Sequence, residues 1–331
     1  MTMMLDLAAM RGVLPMREAI DLLEHALAHE AAGHTVVSPK YVTELGTASM
    51  RILVAADHQA GYFATKAYHT TDNVGTRYVV SLYRLSDGVL LALLDGQLIT
   101  DMRTGAASGV IARRVPISGP VNLGIIGSGN QARSQFESLA TVYDIQSAHV
   151  FSPTPENRER FAEEMSAQLG IPVAAVATVE AAVQGCNVVV AASSARGAEP
   201  VLRGENLVGC RLLCAVGNTR KQFSEVDVRC FADAGLVIVD SEHAIHEAGD
   251  LRAAVQAGAL PDAKWTTLAK IVTGGAQVPG AGLVTFKSVG TALQDLALAA
   301  RYYELLGNKG TANNGVDMGR LRAPATSRNK S

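Results

Sequence analysis

The sequence lacks the features of a membrane protein and of a nucleic-acid-binding protein. No uninterrupted apolar run reaches the roughly 20 residues that a bilayer-spanning helix needs. Residues 1–6 contain no basic stretch followed by an apolar core, so we expect no signal peptide and a cytoplasmic protein. Lysine and arginine total 29 against 31 acidic residues, which leaves no excess charge to attract nucleic acid or anionic lipid. These absences favour a small-molecule ligand.

Cysteine is scarce, and its spacing excludes the usual cysteine-based sites. The four cysteines lie in or beside apolar runs, at Cys186, Cys210, Cys214 and Cys230. They show no Cys-x-x-Cys spacing and have no histidine cluster nearby. We therefore predict buried, reduced thiols, with neither a disulfide nor a metal site.

The length of 331 residues predicts two domains, because single cores rarely grow beyond about 250–300 residues. Residues 119–290 alternate short apolar runs with amphipathic segments, a rhythm typical of a parallel, doubly wound sheet. We expect buried strands at 122–126, 148–151, 187–192, 211–216 and 235–240, with helices at 131–143, 155–169 and 179–183. This stretch is predicted to be one Rossmann α/β domain.

Residues 1–118 show a different pattern, which predicts an α+β domain. An amphipathic helix is expected around 16–31, followed by strands at 49–56, 61–68, 77–83 and 89–94. Residues 113–120, with Pro116, Gly119 and Pro120, are the expected hinge between the domains, and a cleft would follow. A helix at 291–306 could pack back on the first domain, which we assign to 1–118 and 291–320. Residues 308–331 lack core-forming side chains and are predicted to be a mobile tail.

A glycine-rich turn follows the first expected strand of the Rossmann domain. Gly127 permits a tight turn, Gly129 lets the backbone approach a pyrophosphate, and Ala132 allows close helix packing. Asn130 and Gln131 stand at the start of the following helix, whose amino terminus adds partial positive charge. The pattern predicts a nicotinamide dinucleotide site.

The end of the next strand bears on the choice of dinucleotide. An NAD-preferring protein commonly has a carboxylate there for the ribose 2′-hydroxyl, and this sequence has none. Ser152 and Thr154 can donate to a 2′-phosphate instead, and Arg158 lies a turn away to supply charge. We therefore favour NADP(H), with NAD(H) possible.

Taken together, the motifs resemble those of the ornithine cyclodeaminase/mu-crystallin family over about residues 15–306. The resemblance lies in residues 101–107 (DMRTGAA), 127–132 (GSGNQA), 215–220 (AVGNTR), 225–227 (EVD), 247–250 (EAGD) and 286–290 (FKSVG). It implies a homodimer whose first domain serves substrate binding and dimerisation and is completed by the final helix. The catalytic cleft would face the nicotinamide.

The same resemblance implies that Lys66 and Arg103 hold a substrate carboxylate. A carboxylate next to an imine needs a fixed cationic clamp to present its carbon to a hydride. A lysine near an arginine can also have a lowered pKa and exchange a proton with the nitrogen. Lys40 stands where cyclodeaminases have an arginine that touches the carboxylate, and the exchange loses the planar fork. Arg51 lies near their glutamate for a distal amine, so it would repel that amine unless it points to solvent.

Thr219 marks a departure from cyclodeaminases. They and the related archaeal-type alanine dehydrogenases have an aspartate two residues after the glycine that corresponds to Gly217. The ketimine reductase branch has a serine there, followed by an arginine, as Thr219 is followed by Arg220. We therefore expect poor cyclodeamination and a catalytic role for Thr219.

Further cofactor contacts are implied by resemblance alone. They are Thr104, on a loop facing the phosphates, Ser193, Val216 and Asn218 after two strands, and Ser288 and Gly290 near the carboxamide. No histidine is assigned a catalytic role: His58 and His69 could approach the cleft, and His243 and His246 are expected on an outer helix.

These residues predict an NAD(P)H-dependent reductase of an imine (ketimine) next to a carboxylate, reversible as an amino-acid dehydrogenase. One alternative is an ornithine-type cyclodeaminase that releases ammonia without net redox change. Another is a non-catalytic protein that binds NADPH and a small ligand.

Overall fold

The computed structural model describes residues 2–71, 74–194 and 199–307. The expected tail at 308–331 lies outside the described residues. Two sheets organise the chain, one largely antiparallel and one parallel, which confirms the predicted α/β fold class.

The first sheet has seven strands in the order β1-β7-β6-β5-β4-β2, with β3 paired to β4. The strands are β1 (Met3–Leu5), β2 (Thr35–Val37), β3 (Tyr41–Glu44), β4 (Ala48–Asp57), β5 (Tyr62–Thr71), β6 (Gly75–Arg84) and β7 (Leu90–Asp95). All pairs are antiparallel except β1 with β7. The helices of this part are α1 (Leu7–Met10), α2 (Met16–Ala31) and α3 (Gly96–Ala112).

Helix α2 is amphipathic because its apolar residues recur at helical spacing, and it packs against α3. Ala19, Ile20, Leu23 and Leu27 are buried on one side of the helix. Odd-numbered residues of β4, such as Leu53 and Ala55, are buried as well, whereas Ile52 and Val54 on the opposite face are exposed. The sheet therefore has one covered and one open face.

The second sheet has eight parallel strands in the order β10-β9-β8-β11-β12-β15-β13-β14. They are β8 (Val121–Ile126), β9 (Ile145–Phe151), β10 (Val173–Ala175), β11 (Val188–Ala191), β12 (Leu212–Ala215), β13 (Leu236–Val239), β14 (Trp265–Thr267) and β15 (Val284–Lys287). The helices are α4 (Asn130–Val142), α5 (Pro155–Leu169), α6 (Val179–Val183), α7 (Arg229–Ala232), α8 (Ala244–Glu247), α9 (Gly249–Gln256) and α10 (Leu268–Val272), with short 3-10 turns at Gly204–Asn206 and Asp262–Lys264.

The strand order reverses direction at β8 and β11, which lie side by side. In an open parallel sheet, a crevice forms outside the carboxyl ends of the strands at such a reversal. The glycine-rich turn follows β8 at that point. This topology places the turn at the edge of the sheet that a dinucleotide uses in Rossmann proteins.

The last helix, α11 (Ala292–Gly307), leaves the second sheet and packs on α2, β4 and β5 of the first part. Its buried side chains include Leu293, Leu296, Ala299 and Tyr302. The chain thus crosses between the two parts twice, through the segment 113–120 and just before α11. The expected return of the last helix is confirmed.

Candidate active site

A cleft of about 670 Å³ lies between the inner face of the first sheet and the carboxyl edge of the parallel sheet. Side chains of β4, β5 and α3 form one wall. Residues 216, 217 and 219–222 after β12 and residues 288–290 after β15 form the other. The sequence-predicted residues Lys40, Arg51, Lys66, Arg103, Thr104, Gln131, Val216, Thr219, Ser288 and Gly290 all line this cleft.

Lys66 is a buried cation with two oxygen partners. It extends from β5, is 3% exposed, and donates to Thr100 Oγ1 at 2.6 Å and to Asp295 Oδ1 at 2.8 Å. Burial lowers the pKa of Lys66 to about 8, Asp295 opposes this lowering, and Arg103 adds to it. Lys66 can therefore exchange a proton near neutral pH.

Arg103 reaches the same carboxylate from α3. Its Nε lies 3.5 Å from Asp295 Oδ1, and its Nη1 donates to Gln294 Oε1 at 3.2 Å. Gly290 has φ of +79°, and a Cβ there would collide with the Arg103 guanidinium. Two cations therefore share one carboxylate, so net positive charge faces the cleft.

The glycine-rich turn adopts the conformation that its sequence predicts. Gly127 has φ of +109°, and a Cβ there would collide with the Ala192 carbonyl group. A Cβ on Gly129 would meet nothing within 4 Å, so the space above the start of α4 is open. Ala132 is fully buried in the contact between α4 and its neighbours.

Asp101 ties the start of α4 to α3. It accepts from Gln131 Nε2 at 2.7 Å and from Asn130 Nδ2 at 3.2 Å. Burial raises the pKa of Asp101 to about 6, while hydrogen bonds such as that from Asn130 act in the opposite direction. Asn130 and Gln131 are therefore fixed by protein contacts, so their backbone N–H groups stay oriented toward the cleft edge.

One buried carboxylate, Glu225, holds the two loops beside this turn. It accepts from the backbone N–H of Ser193, of Gly217 at 2.9 Å and of Asn218 at 3.3 Å. Burial raises the pKa of Glu225, and Lys287 counteracts that effect. Glu225 thereby fixes the backbone after β11 and after β12.

The comparisons with known proteins agree with this geometry. The model of the "Ornithine cyclodeaminase/mu-crystallin family" matches residues 1–310 of this chain. The chain belongs to that family. A Delta(1)-pyrroline-2-carboxylate reductase of Bacillus cereus is 29% identical over 306 residues, covering 89% of this chain and 93% of the relative. The ketimine reductase mu-crystallin of Mus musculus is 31% identical over 225 residues, 68% of each chain.

Solved structures of the family superpose over nearly the whole chain. Delta(1)-pyrroline-2-carboxylate reductase of Thermococcus litoralis, in complex with NADH and L-proline, has a TM-score of 0.89 at 27% identity and covers 95% of this chain and 100% of its own. The iminosuccinate reductase of Paracoccus denitrificans, in complex with NAD+, has a TM-score of 0.86 at 26% identity, covering 94% and 98%.

The family motif around Arg103 lies on a helix, which corrects one prediction. Thr104 was expected on a loop, but it lies inside α3, where its hydroxyl donates to the Thr100 carbonyl at 2.7 Å. Gly105 and Gly109 make this segment difficult to predict as a helix, because glycine is a poor helix former. Both allow α4 to approach closely: a Cβ on Gly105 would collide with the Ser134 carbonyl. Thr104 still lines the cleft.

Lys40 and Arg51 reach the cleft away from Asp295. Lys40 Nζ pairs with Glu247 Oε2 at 2.9 Å, which links the first part of the chain to α8. Arg51 donates from Nη1 to Ser49 Oγ at 2.7 Å, and its Cζ lies 5.7 Å from the centre of the Tyr68 ring. Arg51 therefore faces the cleft and does not simply point to solvent.

The side chain of Arg158 covers the carboxyl end of β9, at Ser152. Ser152 is 5% exposed and accepts from Ser128 Oγ at 3.1 Å. Arg158 donates from Nη1 to the Ser152 carbonyl at 3.0 Å, so its guanidinium lies over the end of β9, beside the exposed Thr154. This end of the strand carries positive charge where a ribose would bind in a Rossmann protein.

Three acidic residues that act at the site were not predicted as site residues from the sequence. Asp295 holds Lys66 and Arg103, Asp240 accepts from Ser288 Oγ at 2.8 Å and from the Gly290 N–H, and Asp250 pairs with the fully buried Lys287 at 2.8 Å. Lys287 also donates to the Asn218 carbonyl at 2.6 Å. For Asp295 and Asp240 the available signal was a carboxylate in or directly after an apolar stretch, because buried charges are rare unless paired.

The histidines that line the cleft are not the pair that was expected to approach it. His243 and His246, expected on an outer helix, stand at α8 and line the mouth of the cleft. His58 and His69, which were expected to approach it, are both exposed and are absent from its lining.

The described residues contain neither a metal-binding cluster nor a membrane-spanning helix. In residues 2–71, 74–194 and 199–307, no group of three or more histidine, cysteine, aspartate or glutamate side chains could hold a metal ion. No helix within the same ranges is long and apolar enough to cross a bilayer. The four cysteines are free and buried, and burial raises the pKa of Cys186 to about 11, which opposes thiolate formation.

Proposed function

We propose that this protein is an NAD(P)H-dependent enzyme that reduces an imine next to a carboxylate and works in reverse as an amino-acid dehydrogenase. The observation that supports this proposal most strongly is the convergence of two buried cations, Lys66 and Arg103, on the cleft opposite the glycine-rich turn. Its named relatives include a pyrroline-carboxylate reductase, a ketimine reductase and an iminosuccinate reductase.

The residues around the turn fit a nicotinamide dinucleotide. Open space above Gly129 and the amino terminus of the 13-residue helix α4 suit a pyrophosphate. Asn218 Nδ2 is buried between the cleft residues Gly217 and Thr219 in the chain and has no hydrogen-bond partner in the described part of the chain, so it keeps a donor free for a polar group. When bound, the reduced dinucleotide supplies a hydride to the imine carbon.

The protein's side chains supply binding and proton transfer. Arg103 and Lys66 bind the substrate carboxylate, and Asp295 orients both cations. A proton reaches the imine nitrogen from the Lys66 ammonium or from a water held by Thr219. Because Lys66 has a lowered pKa, it gives up this proton more readily than an exposed lysine.

We also propose a preference for NADPH over NADH. No carboxylate follows β9 to accept from a ribose 2′-hydroxyl. The hydroxyls of Ser152 and Thr154 and the guanidinium of Arg158 are instead suited to a 2′-phosphate.

We further propose a homodimer that forms through the open face of the first sheet. Exposed apolar side chains share this face, among them Val36, Ile52, Val54 and Val79. The rings of Phe63 and Tyr83 stack beside them with centroids 4.5 Å apart. A contiguous exposed apolar patch of this kind marks a protein interface.

The function is tested with a panel of imines in a spectrophotometer. NADPH and NADH oxidation is followed with piperideine-2-carboxylate, with pyrroline-2-carboxylate, and with 2-oxo acids plus ammonia or methylamine. We expect turnover of at least one imine, lost in Lys66→Met while dinucleotide binding is retained. Ammonia release from ornithine at catalytic NAD+ would support a cyclodeaminase instead, and dinucleotide binding without any turnover would support a binding protein.

A further inference from the structure

The cleft contains more positive charge than one carboxylate requires. Its lining holds six lysine or arginine side chains and three carboxylates, Glu44, Glu247 and Asp295. Lys40 pairs with Glu247, while Lys66 and Arg103 share Asp295. Arg51, by contrast, pairs with no carboxylate within residues 2–71, 74–194 and 199–307; Glu44 lines the cleft without forming an ion pair with it.

Arg51 is held in position by contacts that leave its charge uncompensated. Ser49 Oγ accepts from one guanidinium nitrogen, and the Tyr68 ring lies under the guanidinium plane. Neither partner neutralises the positive charge. A fixed arginine fork facing a cleft suits a planar anion such as a carboxylate, which it can bind through two parallel hydrogen bonds.

The distance from Arg51 to the carboxylate clamp suits a short side chain. Leu53 on β4 stands opposite Lys66 on β5. Arg51, two residues before Leu53, is therefore the diagonal neighbour of Lys66 on the same face, with the two Cα atoms about 7–8 Å apart. The Tyr68 ring separates the two charges: its centre lies 6.0 Å from Lys66 Nζ and 5.7 Å from Arg51 Cζ. An anion two or three carbons from the imine carbon can reach Arg51 while its first carboxylate stays at Lys66.

From this geometry, and resting on the proposed function, we propose that the preferred substrate is an imino acid with a second acidic group on its side chain, bound by Arg51. The class is a short imino dicarboxylate, or the corresponding amino dicarboxylate in the reverse direction. A basic side chain, such as that of ornithine, meets like charge at the same place and is rejected.

The test compares substrates that differ only in the terminal group. Imines are formed in the assay from ammonia and oxaloacetate or 2-oxobutyrate, which have four carbons, and from ammonia and 2-oxoglutarate or 2-oxopentanoate, which have five. NAD(P)H oxidation gives kcat/KM for each. We expect the wild-type enzyme to prefer the dicarboxylate of at least one pair by tenfold or more.

Variants then assign that preference to Arg51. Loss of a charge-assisted hydrogen bond should lower kcat/KM of Arg51→Gln for the dicarboxylate by roughly 10- to 100-fold, mainly through KM, and change the monocarboxylate by less than about threefold. Arg51→Lys should recover part of the preference because it keeps the charge without the fork. The matched control is Arg84→Gln, an exposed arginine paired with Asp87 at the far end of β6.

Equal turnover of the two substrates in both pairs by the wild-type enzyme would overturn this inference alone, as would an equal loss on both substrates in Arg51→Gln. Absence of reduction with every imine, cyclic or open, would overturn the proposed function and this inference with it.

Discussion

Lys66 shares a single carboxylate, that of Asp295, with Arg103. Two cations and one anion within a buried cluster leave a net positive charge, which is unfavourable until a further anion enters. In the proposed function, a substrate carboxylate is that anion. Burial is the main cause of the lowered pKa of Lys66; Arg103 adds to the lowering, and Asp295 opposes it.

The first prediction concerns the pH dependence of imine reduction. The Lys66 ammonium is present below a pKa of about 8 and is lost as the pH rises through that value. We therefore expect kcat/KM for reduction to be level below pH 7 and to fall about tenfold per pH unit well above 8. A profile measured from pH 6 to 10 checks this, and a level profile up to pH 10 would contradict the role of Lys66.

The second prediction concerns Arg158 and the preference for NADPH over NADH. Arg158→Ala removes the positive charge over the end of β9. We expect KM for NADPH to rise by roughly tenfold and KM for NADH to change little, because charge-assisted hydrogen bonds to phosphate contribute about 1.5–3 kcal/mol each. Arg160→Ala, an exposed arginine of the same helix, is the control. Equal effects on both cofactors would argue against a 2′-phosphate at this position.

At the scale of elements, α3 and the loops after β11 and β12 determine where the site forms. Helix α3 presents Arg103 and Thr104 to the cleft, and Gly105 on another face lets α4 approach closely. Asp101 completes this contact through the side chains at the start of α4. Arg103 and the glycine-rich turn are therefore fixed to one another by one helix pair.

The third prediction concerns the effect of Glu225→Gln on dinucleotide binding. The change keeps the side-chain volume, but it replaces one acceptor oxygen by a donor that faces backbone N–H groups of Ser193, Gly217 or Asn218. The loops should lose their fixed positions, and the dinucleotide Kd measured by calorimetry should rise by roughly tenfold or more. Glu205→Gln, with an exposed side chain, should leave Kd unchanged. An unaltered Kd in Glu225→Gln would show that the loops keep their positions without it.

The sequence predicted those elements whose apolar pattern is unambiguous. The expected strand at 122–126 and the helix at 155–169 correspond to β8 and α5, whose end at Gly170 is set by a left-handed glycine with φ of +69°. Strand β15 was missed because it is short and ends in Lys287, a residue that usually stays in water. Its burial depends on Asp250, which is distant in sequence, so no local pattern could reveal it.

Only part of the site could be predicted, because contacts between residues distant in sequence leave no local pattern. Lys66 and Arg103 were found because their motifs resemble those of a known family, and the motif of Arg103 also contains the close-packing Gly105. Asp295 lies within an apolar helix, at a position where the pattern alone predicts only a buried side chain. Its role became apparent once the fold brought α11 against β5 and α3.

At the scale of the whole molecule, the fourth prediction concerns the proposed dimer through the open face of the first sheet. The double variant Ile52→Arg, Val54→Glu places charge on that face and should convert the dimer to a monomer. Sedimentation should then give the chain mass of 34.7 kDa, against twice that value for the unmodified protein. Val208→Glu, at an exposed apolar residue of the parallel-sheet part, is the control. A wild-type monomer would exclude the proposed interface.

The path of the hydride is the most direct test of the proposed chemistry. The protein is incubated with an imine from the panel and a reduced dinucleotide in which deuterium replaces both hydrogens at C4 of the nicotinamide. The amino-acid product is then analysed by mass spectrometry. We predict one deuterium in each product molecule, bonded to the carbon next to the carboxylate, and none in the Lys66→Met reaction. Product without deuterium, or no product while the dinucleotide stays bound, would contradict an imine reductase with Lys66 and Arg103 at its centre.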